Sequence, residues 1–423
     1  MRFTSLAEWL AWQASLHPES IELGLERVAS VWRRMRPTGL QSTVITVAGT
    51  NGKGSCVALL ESIYRSAGYT TGSYTSPHLI CYNERVRLNG APVSDQRLCQ
   101  AFERVDQARQ GISLTYFEFG TLAALEIFAE SQPQVVILEV GLGGRLDAVN
   151  IIDPDLALIT TVDIDHTAWL GEEREQIGRE KAGIMRAGIP AVLADADMPA
   201  SVVQHGEALG ARLFQLGSAF RASPCGQSWD WFGPDQVERD LPLPALAGAF
   251  QRSNAAAVIS AVKLLESHLP VSRQALETGL SGVRLQGRMQ LLAGTPPVLL
   301  DVAHNLQAAT ALKQRIEALG IKGEVRAVFG MLADKDAAGV IALLQPLVDR
   351  WCIVATDESG RARQTGELGA LFRRSAVESS VEPHESIAAA LQAASAGLGA
   401  DDLVVVFGSF QIVGDALHRL GQE

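Results

Sequence analysis

The sequence predicts an α/β protein with two domains. The larger, N-terminal one is built on a mostly parallel sheet, and the smaller, C-terminal one belongs to the same class. Three observations predict this. Apolar strand-like runs alternate with helical stretches through the N-terminal part. The run Val44-Ile-Thr-Val-Ala-Gly-Thr-Asn-Gly-Lys-Gly-Ser55 passes from a strand through glycines into a helix. After Gly294-Thr-Pro-Pro297 the alternation starts again. At 423 residues the chain is too long for one ordinary core.

In the N-terminal part the expected strands are Thr43–Val47, Val135–Val140, Leu156–Thr161 and Ala191–Ala194. Their unbroken apolar character suits strands covered on both faces. Expected helices are Ser55–Arg65, Leu98–Ala108, Leu122–Ala129, Ile177–Met185 and Ser253–Leu265. Ser223–Pro244, rich in Pro, Trp and Asp, reads as irregular. Gly294–Pro297 is the linker candidate. Beyond it come strand Val298–Asp301, helix Leu306–Leu319, strand Val325–Phe329, a helix near Ala337–Leu344, and strands Trp351–Thr356 and Leu403–Phe407.

Composition narrows the function classes. With 36 basic and 47 acidic residues the net charge is −11, which argues against general nucleic-acid binding and against an anionic membrane surface. No apolar run approaches a membrane span, and the N-terminus lacks a signal core, so a cytoplasmic protein is expected. Cys56, Cys81, Cys99, Cys225 and Cys352 are odd in number and have no C-x-x-C spacing. They read as reduced thiols rather than a disulfide frame or a zinc site.

The loop Gly49-Thr50-Asn51-Gly52-Lys53-Gly54-Ser55 carries the clearest chemistry. A strand that turns through glycines into a helix aims backbone N–H groups and a helix N-terminus at one point, as a polyphosphate requires. Lys53 adds a charge for the outer phosphates, and Ser55 a hydroxyl for Mg²⁺. The match to G-x-x-x-x-G-K-[ST] is imperfect, because Val47 holds the first glycine's place and Gly54 the hydroxyl's. The plain alternative is a Gly-rich turn before a helix.

Other polar residues collect at strand ends, where open α/β sheets bind ligands. Glu139 closes an apolar strand and is placed to hold Mg²⁺, unless it pairs with Arg145. Asp163-Ile-Asp165-His166 follows another strand; a lone His is more often structural than a ligand, and Mg²⁺ prefers oxygen. Ser76-Pro77-His78 and Arg85 follow a short strand. Thr115 and Glu118 open a helix and can be read simply as its cap. Lys181, taken alone, reads as a surface lysine. Asp301-Val-Ala-His304-Asn305 sits at a strand-to-helix turn, where His304 can be read as a cap.

Taken together the motifs resemble the folylpolyglutamate synthase family, relatives of the Mur ligases. The segments that carry the resemblance are Ala48–Ser55, Ser76–Leu79, Asn83–Arg85, Leu138–Asp147, Asp165-His166, Gly178–Gly183, Gly287-Arg288 and Asp301–Asn305. They run in order across almost the whole chain. Ser113–Thr121 and Asp165–Gly171 look like the bifunctional bacterial branch. The Val47 and Gly54 departures are the family's own pattern. Ala48 stands where relatives often have Thr, and Gln286 where they often have Pro.

The resemblance implies a Mur-ligase-like, P-loop ATPase domain over residues 1–292 that also binds the pterin, and a Rossmann-like glutamate-ligase domain over 298–423. It implies an ATP-dependent ligase that joins L-glutamate to dihydropteroate, and to the γ-carboxylate of reduced folates, through an acyl phosphate. Gly49 to Ser55, Asn254, Arg288 and Asp301 would hold ATP. Ser55, Ser76, Glu139, His166 and a carbamylated Lys181 would surround two Mg²⁺ ions. Ser76, Pro77, His78, Arg85, Thr115, Phe117, Glu118 and Ser409 would meet substrate. Lys53, Glu139, His166, Lys181 and His304 would form the catalytic set of a monomer that uses neither nucleic acid nor membrane. The rival readings are a monofunctional folylpolyglutamate synthase, a Mur-type ligase, and a non-catalytic nucleotide-binding module. A Mur-type ligase usually adds an N-terminal UDP-binding domain, and the stretch before the loop is too short to hold one.

Overall fold

Strand β1 (Thr43–Ala48) explains how the first sheet is laid out. It pairs in parallel with β5 (Val135–Glu139) on one side and β6 (Leu156–Ile159) on the other, and all but its first residue are buried. Beyond β5 lie β2 (Thr71–Tyr74), then the antiparallel pair β3 (Val86–Leu88) and β4 (Ala91–Pro92). Beyond β6 lie β7 (Pro190–Leu193) and β8 (Arg212–Gln215), both parallel. Among the described residues the order is β4-β3-β2-β5-β1-β6-β7-β8. Described in this computed structural model are residues 2–19, 21–355, 362–374 and 380–421.

The chain divides into two units. The first takes in Met1–Pro77, Tyr82–Ala245 and Gln251–Val283, and the second His78–Cys81, Leu246–Phe250 and Arg284–Glu423. In the first, alternate strand residues such as Val44, Ala48, Val136 and Leu138 pack under helices Leu6–Leu16, Glu26–Met35, Asp95–Arg109 and Tyr116–Ser131, through Trp9, Val28, Phe102 and Phe119. Helix Lys53–Ser66 packs against helix Arg273–Gly282, where Gly279 lies against the Ile63 backbone; a Cβ there would meet Ile63 Cα at 2.6 Å.

Ser223–Pro244 is not irregular. It holds an antiparallel sheet of β9 (Arg221–Cys225), β10 (Ser228–Phe232) and β11 (Val237–Pro242). On β10 only Trp229 and Trp231 turn fully inward, with period two, and the indole of Trp231 donates to Ala256 O and Ser260 Oγ, each at 3.1 Å.

The second unit's sheet runs β12-β13-β17-β14-β15-β16, with β12 (Gln290–Leu292) antiparallel at one edge. The others, β13 (Val298–Asp301), β14 (Val325–Phe329), β15 (Arg350–Val354), β16 (Ser380–His384) and β17 (Leu403–Phe407), pair in parallel. Both faces are covered. Leu299, Phe329, Trp351 and Phe407 serve one core, while Leu300, Val328, Cys352 and Val406 serve the other. Gly294–Pro297 is therefore not a linker. It joins β12 to β13 within one sheet, a hairpin that Gly and Pro suit as well as they suit a domain boundary. Thr356, expected to end a strand, lies outside the described residues.

Candidate active site

The phosphate loop follows β1, and the first turn of helix Lys53–Ser66 closes it. Gly49 has φ +145°, and a Cβ there would lie 1.7 Å from Thr160 Oγ1, so only glycine fits. Gly52, at φ +92°, precedes the helix and lies against the Asn254 amide. The chain after β6 holds the loop from the side. Thr50 N donates to Thr161 O at 2.7 Å, Thr50 Oγ1 to Asp163 O at 3.1 Å, and Thr161 Oγ1 to Asn51 O at 3.2 Å. The loop is thus held by backbone and hydroxyl groups of the chain after β6.

Lys53 Nζ folds back onto the Gly49 and Thr50 carbonyls at 3.0 and 3.1 Å. Lys181 Nζ reaches the same Gly49 carbonyl at 2.9 Å. Lys181 is not a surface lysine; only 4% of it is exposed. Helix Arg174–Ala182 carries it, and the glycine-rich turn after β5 admits that helix closely. Arg145 N donates to Glu180 O at 2.8 Å, and a Cβ on Gly144 would meet the Glu180 and Lys181 carbonyls at about 3 Å. Burial, and next the charge of Lys53, push the Lys181 ammonium down to about 7; Asp165 and Asp147 act in the opposite sense. Asp147 is itself buried and pushed up to about 6 by desolvation, although the backbone N–H groups of Leu142 and Val149 donate to it.

Glu139 is buried at the end of β5, in register with Val47. It does not pair with Arg145, whose guanidinium binds Glu180 at 2.9 Å. Ser76 N instead approaches Glu139 Oε2 at 3.4 Å, so the ends of β2 and β5 bring Ser76 and Glu139 together. Ser55 Oγ, in the first turn after the loop, accepts from Gln251 Nε2 at 3.1 Å. His166 has left-handed backbone (φ +53°) before the short helix Thr167–Leu170, and its Nε2 lies 3.9 Å from Asp165 Oδ2. Glu139 and Ser76 thus meet at the ends of β5 and β2, Ser55 lies in the first turn of helix Lys53–Ser66 and His166 beyond β6; carboxylate and hydroxyl oxygens are the donors a hard divalent cation prefers.

Other expected site residues have structural work. Thr115 and Glu118 form a capping box for helix Tyr116–Ser131, and Glu118 also binds Arg27 at 2.9 Å. Phe117 packs 6.0 Å from the Tyr74 ring and fills the space a Cβ on Gly141 would need. Arg85 lies over the rings of Tyr82 and Tyr116 at 5.1 and 5.6 Å. Pro77 follows a cis peptide bond after Ser76.

In the second unit, Asp301 ends β13 buried and accepts from Met289 N and Ala303 N, each at 2.8 Å. Desolvation pushes its carboxyl up, and the nearby Arg288 opposes this. The Arg288 guanidinium lies over the Phe410 ring at 4.8 Å, and His304 flanks that ring at 6.2 Å. His304 does not cap the following helix. Asn305 does, accepting from Ala308 N, while His304 Nδ1 lies 2.8 Å from Val302 O. Ser409 caps helix Phe410–Arg419, accepting from Ile412 N at 3.2 Å. His78 groups with this unit, beside Leu79.

Sequence reasoning missed Gln251, which is 1% exposed and joins Ser55 to Asn254. Its signal was available: it sits one helical turn before Asn254 on the same face. Phe410, whose ring lies beside both Arg288 and His304, was not among the expected site residues.

These two units are those of an ATP-using amide ligase. A Mur ligase middle domain matches residues 47–262, and a Mur ligase, glutamate ligase domain matches residues 287–410. The chain is 42% identical to the dihydrofolate synthase/folylpolyglutamate synthase of Escherichia coli (strain K12), over 98% of this chain and 95% of that one. Escherichia coli FolC in complex with DHPP and ADP superposes with a TM-score of 0.93 at 42% identity, covering 99% of this chain and 98% of that one. A bifunctional folylpolyglutamate synthase/dihydrofolate synthase with Mn, AMPPNP and L-glutamate bound gives a TM-score of 0.90 at 41% identity, over 99% of this chain and 98% of that one. The chain belongs to the dihydrofolate synthase/folylpolyglutamate synthase family.

Proposed function

We propose that the chain ligates L-glutamate to dihydropteroate, giving dihydrofolate, and to the γ-carboxylate of reduced folates, lengthening their glutamate tails, with ATP as the energy source. Membership of the family at 42% identity along nearly the full chain supports this. The single observation that carries the chemistry is the meeting of Lys53 Nζ and Lys181 Nζ at the Gly49 carbonyl. Two lysines at one loop carbonyl make a site built for negative charge on the one hand and for modification of a lysine on the other.

A carboxylate is a poor electrophile. In the proposed reaction its oxygen attacks the γ-phosphorus of ATP and ADP leaves. The glutamate amine then attacks the acyl carbon, loses a proton, and phosphate departs. Lys53 and the loop amides would cradle the β- and γ-phosphates, and Asn254 would sit beside the nucleotide. Ser55, Ser76, Glu139 and His166 would hold Mg²⁺, which when bound offsets the charge of the transferred phosphoryl. Most of the rate then comes from positioning and charge compensation.

Lys181 is proposed to carry a carbamate. Its Nζ must be neutral to attack CO₂, and the burial that lowers its basicity to about 7 supplies that form near neutral pH. The product bears anionic oxygens where the free amine had only donors. In the second unit, Arg288, Asp301, His304 and Ser409 are proposed to serve nucleotide and glutamate; the match of residues 287–410 to a glutamate ligase domain supports this. The remaining candidate contacts, Pro77, His78, Arg85, Thr115, Phe117 and Glu118, are proposed to shape the pterin side. For Thr115 and Glu118 this would act through the capped helix.

The test is ADP release with dihydropteroate or tetrahydrofolate, each with and without glutamate. Glutamate-dependent release with both acceptors is expected. Release with tetrahydrofolate alone would leave a monofunctional enzyme, and release with neither would overturn the proposal.

A further inference from the structure

The five cysteines are free thiols, and their spacing offers no zinc motif. Sheet pairing assembles what the spacing hides. On β15 Cys352 lies opposite Glu382 of β16, and His384 follows two residues on, so all three side chains leave the sheet on the same face. One ligating atom from each, Sγ, a carboxylate oxygen and an imidazole nitrogen, lie within 4.8 Å of one another. A tetrahedral ion with bonds of roughly 2.0–2.3 Å spaces its donors roughly 3.3–3.8 Å apart. The three atoms are within about 1.5 Å of that arrangement, a gap that small side-chain rotations close.

The bland reading is that Cys352 merely packs, since it is buried beside Val354 and Ile387. That reading leaves His384 unexplained. Its Nε2 is buried and has no hydrogen-bond partner among the described residues, and such an atom costs stability unless something satisfies it. Glu382 pairs with Arg350 at 3.6 Å, a separation too long for a hydrogen bond, and Arg326 is bound by Glu324 and the Ala396 carbonyl. We propose that Cys352, Glu382 and His384 form a binding site for a divalent transition-metal ion of the zinc class, which pins edge strand β16 to β15. Thiolate and imidazole donors select such an ion over Mg²⁺, and three protein ligands leave one position for water. None of the three is among the residues proposed for ligation chemistry.

The test uses the full chain, stripped with a chelator and titrated with Co²⁺ and then with Zn²⁺. Co²⁺ should give a near-ultraviolet thiolate-to-metal band that saturates at one equivalent, and Zn²⁺ should bleach it. Cys352→Ser should abolish the band. His384→Gln and Glu382→Gln should weaken Co²⁺ binding on the order of tenfold or more. Zn²⁺ should raise the melting temperature of the parent and leave that of His384→Gln unmoved. No band in the parent, a band that survives Cys352→Ser, or unchanged affinity in both glutamine variants would each overturn the site. Should Cys352→Ser not fold, the two half-buried glutamine variants decide the matter alone.

Discussion

At the scale of single residues the loop lysines make the sharpest claims. Lys53→Ala should keep the fold but lose turnover about a hundredfold or more, because a charge aimed at a transferring phosphoryl is worth roughly 3 kcal/mol. Single-turnover phosphoryl transfer measures it, and normal rates in a folded variant would remove Lys53 from the chemistry. Lys181 makes a separate claim about stability. Its basicity is ordinary in the unfolded chain and lowered to about 7 in the fold. Between about pH 7 and the unfolded value of 10.5 the unfolded state holds more protons, so stability rises with pH there, by at most about 1.4 kcal/mol per unit. Denaturant titrations in CO₂-free buffer from pH 7 to 9 should show this slope in the parent and a flatter one in Lys181→Met. Equal slopes would mean that the buried amine does not titrate as described. With CO₂ present, Lys181→Ala should be partly rescued in activity by acetate, which returns an anionic oxygen donor to the site; no response to acetate would count against the carbamate. The loop itself was legible in the sequence because its glycines answer a steric demand, as Gly49 against Thr160 shows. The burial of Lys181 was not. It arises from the close approach of its own helix, Arg174–Ala182, to Gly144, which local sequence does not encode.

At the scale of elements, helix caps and catalytic groups sit side by side and can be separated. Asn305→Ala should cost about 1 kcal/mol of stability with little effect on rate, since it removes the cap from helix Leu306–Leu319. His304→Ala should do the reverse, lowering glutamate-dependent turnover while the melting temperature holds. If both variants only destabilise, His304 has no catalytic part. The strands of both sheets were readable because parallel strands covered on two faces are apolar throughout. The sheet of β9 to β11 was misread for a definite reason. Pro224 and Pro242 lie on its outer strands, where a missing N–H is tolerated, and the two inward tryptophans of β10 are spaced by a polar residue. Gly294–Pro297 misled in the opposite way, since hairpins and linkers use the same residues.

At the scale of the whole molecule the likeness to the family runs from end to end, and activity should depend on the integrity of both units. The second unit carries Arg288 and His304 around the Phe410 ring. Phe410→Ala should therefore loosen both and raise the KM for glutamate or ATP, with phosphate-loop residues untouched. A KM unchanged for each would limit Phe410 to packing. The family was legible because its motifs fall at strand ends, where chain direction and chemistry coincide. Phe410 and Gln251 were harder to see, because each acts by holding another side chain and not by offering charge of its own.

Trp231 is one of the two buried residues of β10. Its indole is sealed from solvent and hydrogen-bonded to helix Phe250–Leu264 at Ala256 and Ser260. The same helix carries Gln251 and Asn254, which touch Ser55 and Gly52 of the loop. The ring is therefore a built-in optical gauge. Any settling of that helix when a nucleotide fills the loop alters the field around a chromophore only one turn away from the contacts. Its emission should change on ATP addition, and Trp231→Phe should silence that change, so loading of the loop can be followed by light with no label and no turnover.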